Sequence, residues 1–236
     1  MPGPQNQHGL LSLEGLCGGY GQAAVVRDVT LTVSPGETLA LLGRNGTGKT
    51  TLLRTIFGLA DLQGGRVTLD GRPVPPRRPD VLARRGAALM PEDRGVFPSL
   101  TVAENLELAR RRGFAPAVDP RDLFPLLTER AGQAAGTLSG GQKQQLGIAR
   151  AILSGRSLVV VDELTQGLQP TLVRDVLAAL ADVAGTGVAV VAVDQHAGLL
   201  LDRCRRAVVM EAGRVVFDGP SAPGTRADLD RLLAVG

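Results

Sequence analysis

Hydrophobic and polar positions along the chain switch between two periods. At residues 29–33 apolar positions alternate with threonine, the pattern of a strand with one buried face. Residues 38–42, 158–161 and 188–193 are instead short, nearly unbroken apolar runs. Such runs suit strands covered on both faces, as in a parallel sheet between helices. From Pro170 the period becomes helical: Leu172, Val173, Val176, Leu177, Leu180 and Val183 share one face, and Gly185 closes the run. The pattern predicts an α/β fold with a parallel core sheet, an antiparallel β portion near the N-terminus and a hairpin across residues 207–217.

The middle of the chain reads differently. Residues 101–112 and roughly 120–150 carry helical periodicity with no buried strand between them, which predicts a helical subdomain, about residues 93–155, inserted in the core. Prolines and arginines at 72–79 predict a surface loop. Residues 1–9 lack an apolar stretch and read as a disordered tail rather than a signal peptide, which leaves residues 10–236 as one domain.

Composition narrows the classes. The chain has 236 residues, 44% hydrophobic and 21% charged, enough for one large folded unit. A net charge of +3 is too small an excess to identify a nucleic-acid partner. With aromatics at 3% and no Trp, stacking platforms for single strands are scarce, so no nucleic acid is expected. Cys17 and Cys204 stand in no metal-ligand spacing and read as reduced thiols. No apolar run is long enough to cross a bilayer, so service to a membrane would come from its cytoplasmic face, through partners.

The first chemical signal is residues 43–50, Gly-Arg-Asn-Gly-Thr-Gly-Lys-Thr, placed between an apolar strand and a helical run at 51–57. Glycines there let backbone N–H groups turn onto phosphate oxygens, and the helix start adds its dipole. Gly43, Asn45, Gly46, Gly48, Lys49, Thr50 and Thr51 are therefore the expected phosphate-binding set. Lys49 would reach the outer phosphates and Thr50 would offer its hydroxyl to Mg²⁺. A second signal is the run at 158–161 ending in Asp162 and Glu163. Strand ends of α/β sheets are where ligand chemistry sits. Asp162 would hold the Mg²⁺ shell and Glu163 would orient or deprotonate an attacking water.

A third signal is Leu138-Ser139-Gly140-Gly141-Gln142, where Ser139 N-caps a helix running through Leu146, Ala149, Ile152 and Leu153. Glycines in its first turn leave N–H groups open to an anion. One phosphate loop already serves one ATP, so a second anion-binding helix start makes most sense capping an ATP held by another copy or a relative.

These residues resemble the signature motif of the ABC ATPase family, and the order of phosphate loop, helical insert, signature and acidic strand is similar to that family along nearly the whole chain. The resemblance implies a phosphate-loop ABC ATPase fold and two ATPase subunits, identical or related, clamping ATP head to tail. It places Ser139, Gly140, Gly141 and Gln142 on the partner's nucleotide and Tyr20 as the aromatic that stacks on adenine. Glu92 stands where the family usually has a Gln that touches Mg²⁺. Gln195 aligns with the switch histidine, and its neighbour His196 is the alternative after a small register change. Leu164 and Gln169 replace a Pro and an Asp of the family pattern.

The Pro-Glu before residues 97–102 and the Gln at the switch resemble an ATPase subunit of branched-chain amino acid importers, while residues 167–170 also resemble the urea-importer ATPase. Transmembrane permease subunits, a second ATPase subunit and, indirectly, an extracytoplasmic solute-binding protein are the partners this implies. A soluble, non-transport ABC ATPase is the rival; such proteins usually carry two cassettes, zinc modules or long coiled coils, and this chain has one cassette, no paired CxxC and no sustained heptads.

Overall fold

A computed structural model describes residues 9–234; the expected tail, save Gly9, lies outside the described residues. The chain opens with β1 (Leu11–Tyr20) and β2 (Ala23–Val33), a hairpin, and then β3 (Thr38–Leu42), followed by α1 (Lys49–Ile56). Next come β4 (Asp61–Leu69), β5 (Arg72–Pro73), α2 (Pro79–Arg84) and β6 (Ala87–Met90). Four helices follow: α3 (Val102–Ala109), α4 (Pro120–Leu123), α5 (Leu126–Glu129) and α6 (Gly140–Ser154), with a 3₁₀ turn at Ala135–Thr137. The second half alternates β7 (Leu158–Val161), α7 (Pro170–Gly185), β8 (Ala189–Asp194) and α8 (Ala197–Leu201). It closes with β9 (Arg206–Glu211), β10 (Arg214–Pro220) and α9 (Pro223–Ala234).

Two sheets result. An antiparallel sheet has the order β2-β1-β4-β5, and a six-stranded sheet the order β10-β9-β3-β8-β7-β6. In the larger sheet β9, β3, β8, β7 and β6 run parallel, and only β10 is antiparallel. Apolar side chains cover both of its faces, which is why its strands read as continuous runs rather than alternations. Ala40, Leu42, Val159, Val161, Val190 and Ala192 face the helices α6, α7 and α8. Leu39, Leu41, Leu158, Val160, Val191 and Val193 face the antiparallel sheet and α1.

Several sequence expectations need correction. The strand expected at 29–33 is the end of the longer β2, and its partners β1 and β4 escaped the pattern altogether. Glycines at 15, 18, 19, 64 and 65 break the alternation there, and the β1–β4 ladder is bulged. The helical stretch expected from 120 to 150 is broken into α4, α5, a 3₁₀ turn and α6. The reason is local: Pro125 and Gly132 interrupt the run, and Ser139 with Gln142 forms a capping box that starts a new helix. The loop expected at 72–79 pairs Arg72 and Pro73 with β4 before Pro79 opens α2. By contrast, α7 spans the residues that its periodicity predicts.

Candidate functional site

Four neighbouring parallel strands, β3, β8, β7 and β6, end on one edge of the sheet, and each delivers a chemically marked segment there. From β3 comes the loop of residues 43–50, from β8 Asp194 to His196, from β7 Asp162 and Glu163, and from β6 Pro91 and Glu92. Together they surround a cavity of about 720 Å³.

The loop after β3 passes close to other backbone. Gly43 has φ 153°, and a Cβ there would stand 2.5 Å from the Met210 carbonyl oxygen, so a side chain is excluded. Gly48 is the N-cap of α1 in a left-handed conformation and offers no side-chain cap, which leaves the first N–H groups of the helix without an intrahelical partner. Such N–H groups, with the helix dipole behind them, favour an anion.

Lys49 is nearly buried, and its ammonium donates to the carbonyl oxygens of Gly43 at 2.7 Å and Arg44 at 3.0 Å. Burial lowers its pKa, and the carboxylates of Asp162, Asp194 and Glu163 work against that shift. Thr50 Oγ1 donates to Asp162 Oδ2 at 3.0 Å. The other oxygen, Asp162 Oδ1, is buried and has no hydrogen-bond partner. Burial pushes the Asp162 carboxyl up to about 6; the Thr50 hydroxyl opposes this, and the charges of Glu163 and Glu92 add to it. An orphaned carboxylate oxygen beside a threonine hydroxyl is the kind of donor set a hard divalent cation satisfies.

Glu163 has φ 49°, a left-handed conformation that costs a non-glycine residue free energy and persists only where its surroundings hold it. The next two peptides are held: Leu164 N donates to the Val193 carbonyl oxygen at 3.2 Å and Thr165 N to Asp194 Oδ2 at 2.8 Å. Burial raises the Glu163 pKa, with Glu92 and Asp194 adding to the effect, so the carboxyl is more basic than an ordinary glutamate.

Asp194 was not singled out from the sequence. It is 3% exposed, and its Oδ1 accepts from the backbone N–H groups of Gln195 at 2.8 Å and His196 at 2.9 Å. The side chain thus joins the loop after β7 to the turn after β8. Its signal was available: it ends the apolar run at 188–193, as Asp162 ends that at 158–161. Val25, Thr165, Gln166 and Gly167 also line the cavity and were not among the expected site residues. Gln195 and His196 both line it and both are exposed.

Asn45, Gly46, Gly48, Lys49, Thr50, Thr51, Glu92, Asp162 and Glu163 are brought together here. Ser139, Gly140, Gly141 and Gln142 are not among the lining residues. Ser139 N donates to Gln142 Oε1 at 2.9 Å, so this side chain caps its own helix. A Cβ on Gly141 would stand 2.4 Å from the Gly167 carbonyl oxygen, so α6 starts against the loop that follows Glu163. Tyr20 is 46% exposed at the β1–β2 turn, and its hydroxyl accepts from Arg54 Nη1 at 3.3 Å.

Residues 26–166 match the family described as ABC transporter. The chain is 35% identical over 221 residues to the high-affinity branched-chain amino acid transport ATP-binding protein BraG of Pseudomonas aeruginosa, covering 90% of this chain and 94% of that protein. It is 32% identical to the lipopolysaccharide export system ATP-binding protein LptB of Haemophilus influenzae, covering 89% of this chain and 90% of that one. A solved structure described as the ATP-binding subunit of an ABC transporter superposes with a TM-score of 0.80 at 30% identity, covering 95% of this chain and 98% of the other.

Proposed function

The chain belongs to the ABC transporter family, as an ATP-binding and ATP-hydrolysing subunit, and from that premise we propose that it drives uptake of a small polar solute, branched-chain amino acids first. The observation that supports the catalytic half is the Thr50–Asp162 pair with its orphaned buried oxygen, set between Lys49 and the more basic Glu163. The likeness to BraG supports the solute.

Loop residues 43–50 and Thr51 bind the ATP phosphates through backbone N–H groups and Lys49. Thr50, Asp162 and Glu92 are the residues that would hold Mg²⁺, which neutralises phosphate charge when bound. Glu163 accepts a proton from, or orients, the attacking water, and Gln195 or His196 reaches the γ-phosphate. Tyr20 stacks on the adenine. Ser139, Gly140 and Gly141 close over the ATP of a second subunit, identical or related, with Gln142 shaping that helix start. Nucleotide binding favours the closed pair and hydrolysis releases it.

We take residues 93–155 as the helical unit that faces the transmembrane permease subunits, with the chain on the cytoplasmic face of the membrane. Among the described residues no helix is long and apolar enough to cross a bilayer. An extracytoplasmic binding protein would select the solute.

The test is Glu163→Gln. The variant should bind ATP as the native chain does, lose hydrolysis by about a hundredfold or more, and accumulate a dimer with ATP in size-exclusion chromatography. Native turnover by this variant would remove Glu163 from its role. Recovery of two permeases and a second ATPase with the tagged chain from solubilised membranes would support the importer assignment; a wholly soluble chain without permease would refute it.

A further inference from the structure

We propose that Arg94 and Gln144 form a positioning relay that sets the peptide of Glu163, and thereby makes hydrolysis depend on how helix α6 is seated. The inference rests on the assignment of Glu163 to the attacking water. Neither residue lines the cavity, so neither is catalytic.

Gln144 lies on α6 and is 1% exposed. A side-chain amide has one end that accepts and one that donates. Here Arg94 Nε donates to Gln144 Oε1 at 3.1 Å, while Gln144 Nε2 donates to the carbonyl oxygens of Glu163 at 2.7 Å and Leu164 at 3.3 Å. A guanidinium cannot accept and a backbone carbonyl cannot donate, so only this orientation of the amide satisfies both sides. Arg94 therefore holds the amide with its donor end on the Glu163 peptide. Glu163 has a left-handed φ, so a hydrogen bond from another segment helps to hold its backbone. The Glu163 carbonyl also accepts from Gln166 N at 3.1 Å, which closes the turn after β7.

Arg94 is itself fixed at both ends. Its backbone is left-handed, φ 68°, in a turn where its N–H donates to the Pro91 carbonyl oxygen at 2.7 Å. Its Nη2 donates to Gln166 Oε1 at 2.9 Å, so one guanidinium bridges α6 and the loop that follows Glu163. Two glycines seat α6 between these segments. A Cβ on Gly147 would stand 2.9 Å from the Arg94 carbonyl oxygen, and one on Gly141 would stand 2.4 Å from that of Gly167. Neither glycine has room for a side chain, so α6 packs closely on both segments, and a shift of α6 relative to β7 would change the length of the Gln144 bonds. Glu92, two residues from Arg94, lines the cavity, so the relay starts beside the cavity and ends on the peptide of the residue assigned to the attacking water.

The experiment measures ATP turnover and, separately, affinity for a fluorescent ATP analogue in the full chain and its variants. Gln144→Glu keeps the shape and the acceptor for Arg94 but sets a carboxylate oxygen against the Glu163 carbonyl. Arg94→Ala removes the donor that holds Gln144 Oε1 and leaves the amide held by the Glu163 and Leu164 carbonyl oxygens alone, and Arg94→Lys keeps one donor. Gln144→Glu and Arg94→Ala should each lower kcat about tenfold with affinity within about twofold, Arg94→Lys should recover part of the loss, and the double variant should be no worse than the poorer single one. Unchanged kcat in both single variants, loss of affinity in step with kcat, or additive effects would overturn the relay. Should Gln144→Glu not fold, the two variants of the partly buried Arg94 decide alone by the same criteria. A native chain without hydrolysis would bring down the Glu163 assignment and the relay together; an active native chain with inert Glu163→Gln and fully active relay variants would bring down the relay only.

Discussion

The hydroxyl of Thr50 donates to Asp162 Oδ2 across 3.0 Å, joining residues 112 positions apart in the chain. The bond ties the start of α1 to the end of β7 and leaves the second carboxylate oxygen free and buried. Folding raises the Asp162 pKa from its ordinary value to about 6, so this group favours the folded chain at low pH and loses that contribution as pH rises through about 6. Asp162→Asn should therefore raise the thermal midpoint of the chain without nucleotide at pH 7.5, on the order of 2 kcal/mol of stability, and the gain should fade below pH ~5. The same variant should lose stabilisation by ATP with Mg²⁺. Calorimetry at both pH values, with and without ligand, checks each part.

Lys49 is held by two carbonyl oxygens of its own loop and stands among three acids that oppose the effect of its burial. Lys49→Ala should weaken ATP binding by about tenfold or more and abolish measurable turnover, because no other lysine or arginine lines the cavity among the described residues. Titration calorimetry with ATP reads the first effect and phosphate release the second. Native affinity in the variant would exclude Lys49 from the phosphates.

Glu92 adds negative charge beside both Asp162 and Glu163 and helps to raise both carboxyls. Glu92→Gln should lower both pKa values, so the acid limb of the pH–rate profile should move to lower pH by about half a unit. An acid limb that stays in place would show that the Glu92 charge does not reach the reacting groups.

Tyr20 sits at the β1–β2 turn with nearly half its surface exposed, and its hydroxyl accepts from Arg54. Tyr20→Ala should reduce ATP affinity by about tenfold and Tyr20→Phe should preserve it, since stacking uses the ring and not the hydroxyl. Equal affinity for all three chains would remove Tyr20 from the adenine site.

Asn105 is fully buried, and its side chain accepts from Phe97 N and Arg150 Nη1 while donating to the carbonyl oxygens of Phe97, Leu100 and Thr101. Asn105→Leu strands several of these groups without partners. It should destabilise the chain by about 2–4 kcal/mol, seen as a lower midpoint in thermal or urea unfolding. A native midpoint would mean that the segment after Glu92 is held by other contacts.

The sequence by itself determined the elements whose physical signal is local. Phosphate binding needs glycines and a lysine at fixed spacing within one loop, and residues 43–50 show it without reference to any other part of the chain. The strands buried on both faces are legible because nothing polar is tolerated there, and α7 because one face must be apolar from end to end. The tertiary structure alone decided which strand ends meet. The order β3-β8-β7-β6 sets Asp194 beside Asp162, and it turns β1 and β4 into sheet partners although glycines erase their alternation. It also joins Arg94, Gln144 and Glu163, three residues far apart in sequence. Glu163 is marked by the apolar run before it, but Arg94 and Gln144 are polar and unremarkable in their own segments, because a hydrogen bond between distant segments leaves no periodicity in either one.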